Sequence, residues 1–303
     1  MTSAKTRTER ARRMRVLLFV PGDRPDRIAK AAAGGATAVA VDLEDSVALS
    51  RKDHVRQDTA RTVAALPPDG ALLTVRINSV ASGLAEQDVR ALTPVLGRLS
   101  ALILPMCDSA ADVRRVAALL DAAEAEAGLE PGCVGIVPLI ESARGVLEAA
   151  FIAAGDARVI TLTFGPADLS RELGVTPTAT GTELLAARST VVLAAAAAGL
   201  PHPIDGPFLD LEDDEGLRVS AERARAIGFG GKQIIHPRQL NPVAAAFVPT
   251  AEEIDWARRV DEAFTAAEER GVASIRLADG TFVDYPVASR ARALLAAAGA
   301  GHE

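Results

Sequence analysis

The sequence predicts an α/β fold, a TIM-type (β/α)₈ barrel with a C-terminal helical and hairpin lid module. Two observations carry that prediction. Short β-branched apolar runs alternate with longer amphipathic, alanine-rich stretches, and eight such strand–helix units fit within about 240 residues. The strands also read as continuous apolar runs, the mark of a parallel sheet buried on both faces. An open dinucleotide-binding sheet would carry G-x-G-x-x-G after its first strand, and the segment VPGDRPDR at 20–27 does not supply it.

Taken in order, residues 1–14 are basic, lack the apolar segment of a secretory signal, and read as a flexible N-terminal tail. The barrel is predicted over 15–249. Its strands are RVLLFVP (15–21), AVAVDLE (38–44), LLTVRIN (72–78), ALILPM (101–106), GIVPLIE (135–141), VITLTFG (159–165), HPIDGP (202–207) and KQIIHP (232–237). Amphipathic periodicity places helices between them at about 25–34, 51–66, 84–97, 109–127, 142–155, 181–199 and 213–227. From 250 to 303 the pattern changes, and these residues form the lid module. A helix over about 250–270 holds the sole Trp, Trp256. Asp279-Gly280 then sits between two alternating runs of SIRLADGTFVDYP (274–286), as in a hairpin turn, and a last helix covers about 287–298.

The net charge of −7 argues against a nucleic-acid binder, while a local Arg cluster still suits an anionic small substrate. No apolar run is long enough to span a bilayer, so no membrane partner is expected, and the protein is expected in the cytoplasm. Cys107 and Cys133 read as free thiols rather than a disulfide.

In a barrel, chemistry gathers where strands end at their C-terminal side. Those ends here are Phe19-Val20-Pro21-Gly22, Asp42-Leu43-Glu44-Asp45, Arg76-Ile77-Asn78, Glu141-Ser142, Phe164-Gly165-Pro166-Ala167-Asp168, Asp205-Gly206 and His236-Pro237. Carboxylates converging this closely repel unless a cation holds them. With only oxygen donors among them, a hard ion, Mg²⁺ rather than Zn²⁺, is expected.

In this order, LLFVPGDRPDRIAKA, VAVDLEDSVA, VRIN, IVPLIESARGV, FGPADL and GKQIIHPRQ resemble the HpcH/HpaI aldolase/citrate lyase superfamily. Within it they are similar to the citrate lyase β-subunit-like branch with malyl-CoA, β-methylmalyl-CoA and citramalyl-CoA lyases. The resemblance covers about residues 15–298.

The resemblance implies that Glu141 and Asp168 bind Mg²⁺ directly, with water and substrate completing an octahedron. Arg76 would clamp the carboxylate of a small 2-oxo acid, a task its planar fork suits, and Glu44 and Asp45 would orient metal-bound water. Arg24 and Lys30 would meet the CoA phosphates, Pro237 would line the CoA channel, and Phe19 and Gly165 join them as substrate-binding positions. Asp284, in DGTFVDYP, would be the base for the thioester α-proton, entering the active site of a neighbouring subunit in a trimer or hexamer. Lid closure and desolvation would have to make this carboxylate a stronger base. The implied activity is cleavage or formation of a 3-hydroxy-carboxyacyl-CoA to acyl-CoA plus a 2-oxo acid. Thioester hydrolysis at the same site, or action on a carrier-bound thioester as a citrate lyase β-like subunit, are the alternatives. One departure stands out: members often read L-P-K after the fourth strand, and this chain reads Leu104-Pro105-Met106-Cys107.

Overall fold

The computed structural model describes residues 9–299. Eight parallel strands close into a barrel in sequential order. They are β1 (Val16–Pro21), β2 (Ala38–Asp42), β3 (Leu72–Arg76), β4 (Ala101–Leu104), β5 (Gly135–Ile140), β6 (Thr163–Phe164), β7 (Ile204–Asp205) and β8 (Gly231–Ile234). The intervening helices are α1 (Pro25–Ala33), α2 (Lys52–Ala65), α3 (Ala85–Leu92), α4 (Ala110–Glu126), α5 (Ala143–Leu147), α6 (Ala149–Ala153), α7 (Pro166–Leu173), α8 (Leu185–Ala197) and α9 (Asp214–Ala226). The predicted barrel is the observed one.

Its interior is filled by alternating large and small side chains, including Leu17, Ala38, Ala40, Ala101, Ile103, Leu139 and Ile204, with Phe19 and Leu72 packed on them. Side chains alternate along a strand. Phe19, Asp42, Arg76 and Glu141 each lie an even number of residues beyond an interior residue of their strand, so they face the barrel mouth. Asp205, next to interior Ile204, faces outward.

Several element predictions are corrected. The flexible tail predicted over 1–14 gives way from residue 9: residues 9–13 form a helical turn, and Ala11 and Met14 are buried in the barrel core. Residues 1–8 of that tail lie outside the described residues. The seventh strand shrinks to two residues because Pro203 and Pro207 lack the N–H a ladder needs, and the sixth is reduced to two, with Val159 left in an isolated bridge to Ile136. The helix expected over 84–97 ends at Leu92 and tightens into a 3₁₀ segment, Thr93–Arg98, whose second residue is Pro94. Helix α7 went unpredicted, although Pro166 at its start and Gly174 at its left-handed C-cap (φ 67°) are the signals that frame a short helix.

Two compact units divide the chain, residues 1–244 and 245–303. The second contains α11 (Ala251–Glu268), the antiparallel pair β9 (Ser274–Arg276) and β10 (Phe282–Asp284), and α12 (Tyr285–Gly299); α10 (Leu240–Ala246) precedes them. Thr250 and Glu253 close a capping box on α11. Ala257, Val260, Phe264, Val283, Ala288 and Ala291 form a core of their own, and Tyr285 meets Phe264 edge-on with centroids 5.2 Å apart. The turn falls at Asp279-Gly280, as predicted, with φ 89° at Gly280. Among the described residues, no helix is long and apolar enough to cross a membrane.

Candidate active site

Parallel pairing puts Asp42 and Arg76 side by side at the ends of β2 and β3. There they form a two-pronged ion pair, Arg76 Nε and Nη2 each donating to one Asp42 oxygen at 2.7 Å. Asp42 also accepts from the Glu44 N–H at 3.0 Å and the Ser46 N–H at 3.1 Å. Burial works against its charge, but the Arg76 contacts outweigh it and hold the carboxyl below its ordinary range. The third guanidinium nitrogen of Arg76 meets Glu44 at 2.8 Å and stands 3.7 Å from exposed Asp45, and the fork lies over the Phe19 ring at 5.4 Å. Glu44 is raised to about 7, by burial first and then by the charges of Asp45 and Asp42, against the pull of Arg76.

The loop carrying Glu44 is fixed from beneath. Lys52, the first residue of α2, donates to the Leu43 and Glu44 carbonyls at 2.8 and 2.9 Å and to Asn78 Oδ1 at 2.6 Å. Asn78 in turn donates to buried Asp88 at 2.7 Å, and Asp88 also takes Arg56 Nε at 2.6 Å. Sequence reasoning missed Asp42 as the partner of Arg76, and it missed Lys52 and Asp88 altogether.

Glu141, just past β5, is 4% exposed. Its Oε1 accepts the Met106 N–H at 2.8 Å. Burial, with the nearby charges of Glu44 and Asp168 adding to it, pushes its carboxyl up to about 8. Gly165 follows β6 and hydrogen-bonds to the Ile140 carbonyl at 2.9 Å. A methyl group at Gly165 would stand 2.6 Å from Glu141 Oε2, so only glycine leaves space on that side of the carboxylate. Asp168 is the third residue of α7, where the helix dipole favours an anion, and it pairs with exposed Arg171 at 2.8 Å.

The structure thus brings together Phe19, Glu44, Asp45, Arg76, Glu141, Gly165 and Asp168, with Asp42 added. Arg24 sits at the rim end of α1, 3.6 Å from Asp26. Lys30 lies in the last turn of that helix, about 9 Å along the axis away from the rim, and does not join the set. Pro237 is exposed and opens a 3₁₀ turn, Pro237–Gln239, capped by His236. Asp205 is corrected outright: it does not face the mouth. It is buried in an ion cluster with Lys232 at 2.6 Å and Arg188 at 2.9 Å, and Arg188 covers the Phe164 ring. Asp284 belongs to the second unit, where its Oδ1 accepts the Val287 N–H at 3.2 Å and caps α12.

Glu141 and Asp168 are two carboxylates that could share a cation, and among the described residues no group of three or more His, Cys, Asp or Glu forms a metal cage. Two carboxylates, with the remaining positions open to water and substrate, is the donor set of an octahedral hard cation. Surplus negative charge held out of water, visible in the raised Glu44 and Glu141, fits the same conclusion.

The sequence profile of the HpcH/HpaI aldolase/citrate lyase family matches residues 15–237. The chain is 35% identical to citrate lyase subunit beta of Escherichia coli K12 over 298 residues, covering 98% of this chain and 97% of that protein. It is 34% identical to the L-malyl-CoA/β-methylmalyl-CoA lyase of Cereibacter sphaeroides, covering 86% of this chain and 87% of that one. Among solved structures, the CitE protein of Mycobacterium tuberculosis in complex with magnesium, acetoacetate and coenzyme A superposes with a TM-score of 0.76 at 34% identity, over 94% of this chain and 98% of that one.

Proposed function

The chain belongs to the HpcH/HpaI aldolase/citrate lyase family, and from that premise we propose that it is a Mg²⁺-dependent carbon–carbon lyase. Its substrate is a 3-hydroxy-carboxyacyl-CoA of the malyl-CoA, β-methylmalyl-CoA or citramalyl-CoA type, released as acyl-CoA and a 2-oxo acid. The observation that carries the reading is the buried Glu141 carboxylate, with one oxygen held by an amide and the other packed against Gly165, near the charge of Asp168. The magnesium, acetoacetate and coenzyme A bound by the mycobacterial CitE support it.

Glu141 and Asp168 would hold the cation, which when bound would supply positive charge at the 2-oxo acid carbonyl. Arg76 spends Nε and one N–H of each terminal nitrogen on Asp42 and Glu44. One N–H on each terminal nitrogen is left to orient the substrate carboxylate. Glu44 and Asp45, both within reach of Arg76, would orient water bound at the cation. Asp284, delivered from a neighbouring copy in a trimer or hexamer, takes the thioester α-proton.

The reading is tested with malyl-, β-methylmalyl- and citramalyl-CoA plus Mg²⁺, following 2-oxo acid and free thiol together. Equal release of 2-oxo acid and acyl-CoA is expected with one of the three. Free thiol without 2-oxo acid would replace the lyase by a thioesterase, and no product from any of them would remove the substrate class. For Asp284, the cap on α12 makes Asn the informative substitution, since Asn caps as well as Asp whereas Ala forfeits about 1 kcal/mol. Asp284→Asn is expected to keep the melting temperature and lose exchange of the thioester α-proton with deuterated water. Exchange at the wild-type rate would assign the base elsewhere.

A further inference from the structure

Met106 is the one non-glycine residue with positive φ among the described residues, at 46°. The left-handed region is rarely adopted by side chains larger than Asn or Asp, so the surrounding structure must hold it there. The loop after β4 is tied down directly after Met106. The Cys107 N–H donates to the Leu139 carbonyl at 3.4 Å, Ser142 Oγ bonds Asp108, and the Asp108 N–H reaches Asp112 at 3.2 Å. The Cys107 carbonyl is pressed so close to Gly145 that a methyl group there would lie 2.8 Å from it. The outcome is that the Met106 N–H points at Glu141 Oε1, 2.8 Å away.

We propose that this left-handed turn makes Glu141 a one-oxygen ligand and thereby biases the site toward Mg²⁺ over Ca²⁺. The inference rests on the metal reading above. An amide donating to Oε1 fixes the carboxylate plane and engages that oxygen, while Oε2, packed against Gly165, has no such donor among the described residues. A cation gripping both oxygens would have to share Oε1 with the amide. Ca²⁺ readily takes carboxylates in that two-oxygen mode and tolerates irregular shells; Mg²⁺ demands an octahedron of single-oxygen contacts. Met106 acts here through its backbone, as a positioning residue, and its side chain is incidental.

Calorimetric titration of the full chain with Mg²⁺ and with Ca²⁺, in wild type, Met106→Gly, Met106→Ala and Met106→Val, separates these roles. Glycine adopts the left-handed region freely, so Met106→Gly is expected to keep both affinities within about twofold and to melt no lower than wild type. A β-branched residue cannot hold that conformation, so Met106→Val turns the amide away and weakens Mg²⁺ binding by about 10- to 100-fold, the usual effect of losing a contact behind a metal ligand. Ca²⁺, free to take both oxygens, loses less, and the Mg²⁺/Ca²⁺ preference drops. Met106→Ala falls between them, and it carries the comparison if the valine variant does not fold. A Met106→Gly variant as unselective as Met106→Ala or Met106→Val would overturn the inference, since the side chain would then be what matters. Wild type binding both cations equally overturns it alone; wild type binding neither removes the metal reading with it.

Discussion

Asp168→Asn is expected to lower turnover by about 10²- to 10⁴-fold, because charge supplied by a metal at a reacting carbonyl is worth several kcal/mol and about 1.4 kcal/mol is tenfold in rate. Stability should scarcely move. The Asp168 side chain is 32% exposed and its partner Arg171 is more so, an i,i+3 pair at the surface worth a few tenths of a kcal/mol. Its place in the first turn of α7 adds at most about 1 kcal/mol through the helix dipole. Together these shift the melting temperature by no more than about 4 °C. Steady-state rates across a Mg²⁺ titration, alongside a thermal melt, check both halves. Wild-type turnover in the folded variant would show that the acceptor of the cation is another residue. Asn keeps the size and one oxygen of Asp but not its charge, so partial recovery at high Mg²⁺ is the expected signature of a weakened ligand.

The barrel was readable because its signal is local. Continuous apolar strands and alternating helices are written within each unit, and eight units close a ring. What misled the reading was local too: HPIDGP has the composition of a strand, yet its prolines leave only Ile204–Asp205 paired. The site was legible as a set of strand-end residues and illegible in its pairings. Asp42 and Arg76 each looked like free agents, one among the carboxylates and one a clamp; the register that sets them side by side links positions 34 residues apart. Asp205 erred in the opposite sense. It ends a strand as the rim residues do, but its step of one from Ile204 turns it outward, where Lys232 on β8 and Arg188 on α8 neutralise it. The left-handed turn at Met106 follows from ties between two loops and has no sequence signature in a residue that ordinarily avoids it.

Arg76→Met is expected to destabilise the protein by about 3–5 kcal/mol near pH 7, since removing one member of a buried ion pair strands the other. Asp42 is the group left stranded: its side chain is 4% exposed and that of Arg76 13%. The size of the loss should depend on pH in a defined direction. In wild type the folded pKa of Asp42 lies below its ordinary value near 4, so its charge contributes stability above that value, lost as pH falls through the folded pKa. Without Arg76, burial alone acts on Asp42 and lifts its folded pKa above the unfolded one. The charged form then costs stability at neutral pH, and that cost fades as the carboxyl protonates on acidification. Glu44, already raised to about 7 with Arg76 present, moves the same way when the guanidinium goes. The gap between wild type and Arg76→Met should therefore be full at pH 7 and shrink toward pH 4, as read by urea unfolding at both. Arg76→Lys keeps a charge without the fork and should fall between them. The double variant Asp42→Asn/Arg76→Met, with no stranded charge, should recover part of the loss, the coupling expected of residues in contact. A gap unchanged between pH 7 and pH 4 would mean that Arg76 stabilises the barrel by packing on Phe19 and not by neutralising Asp42.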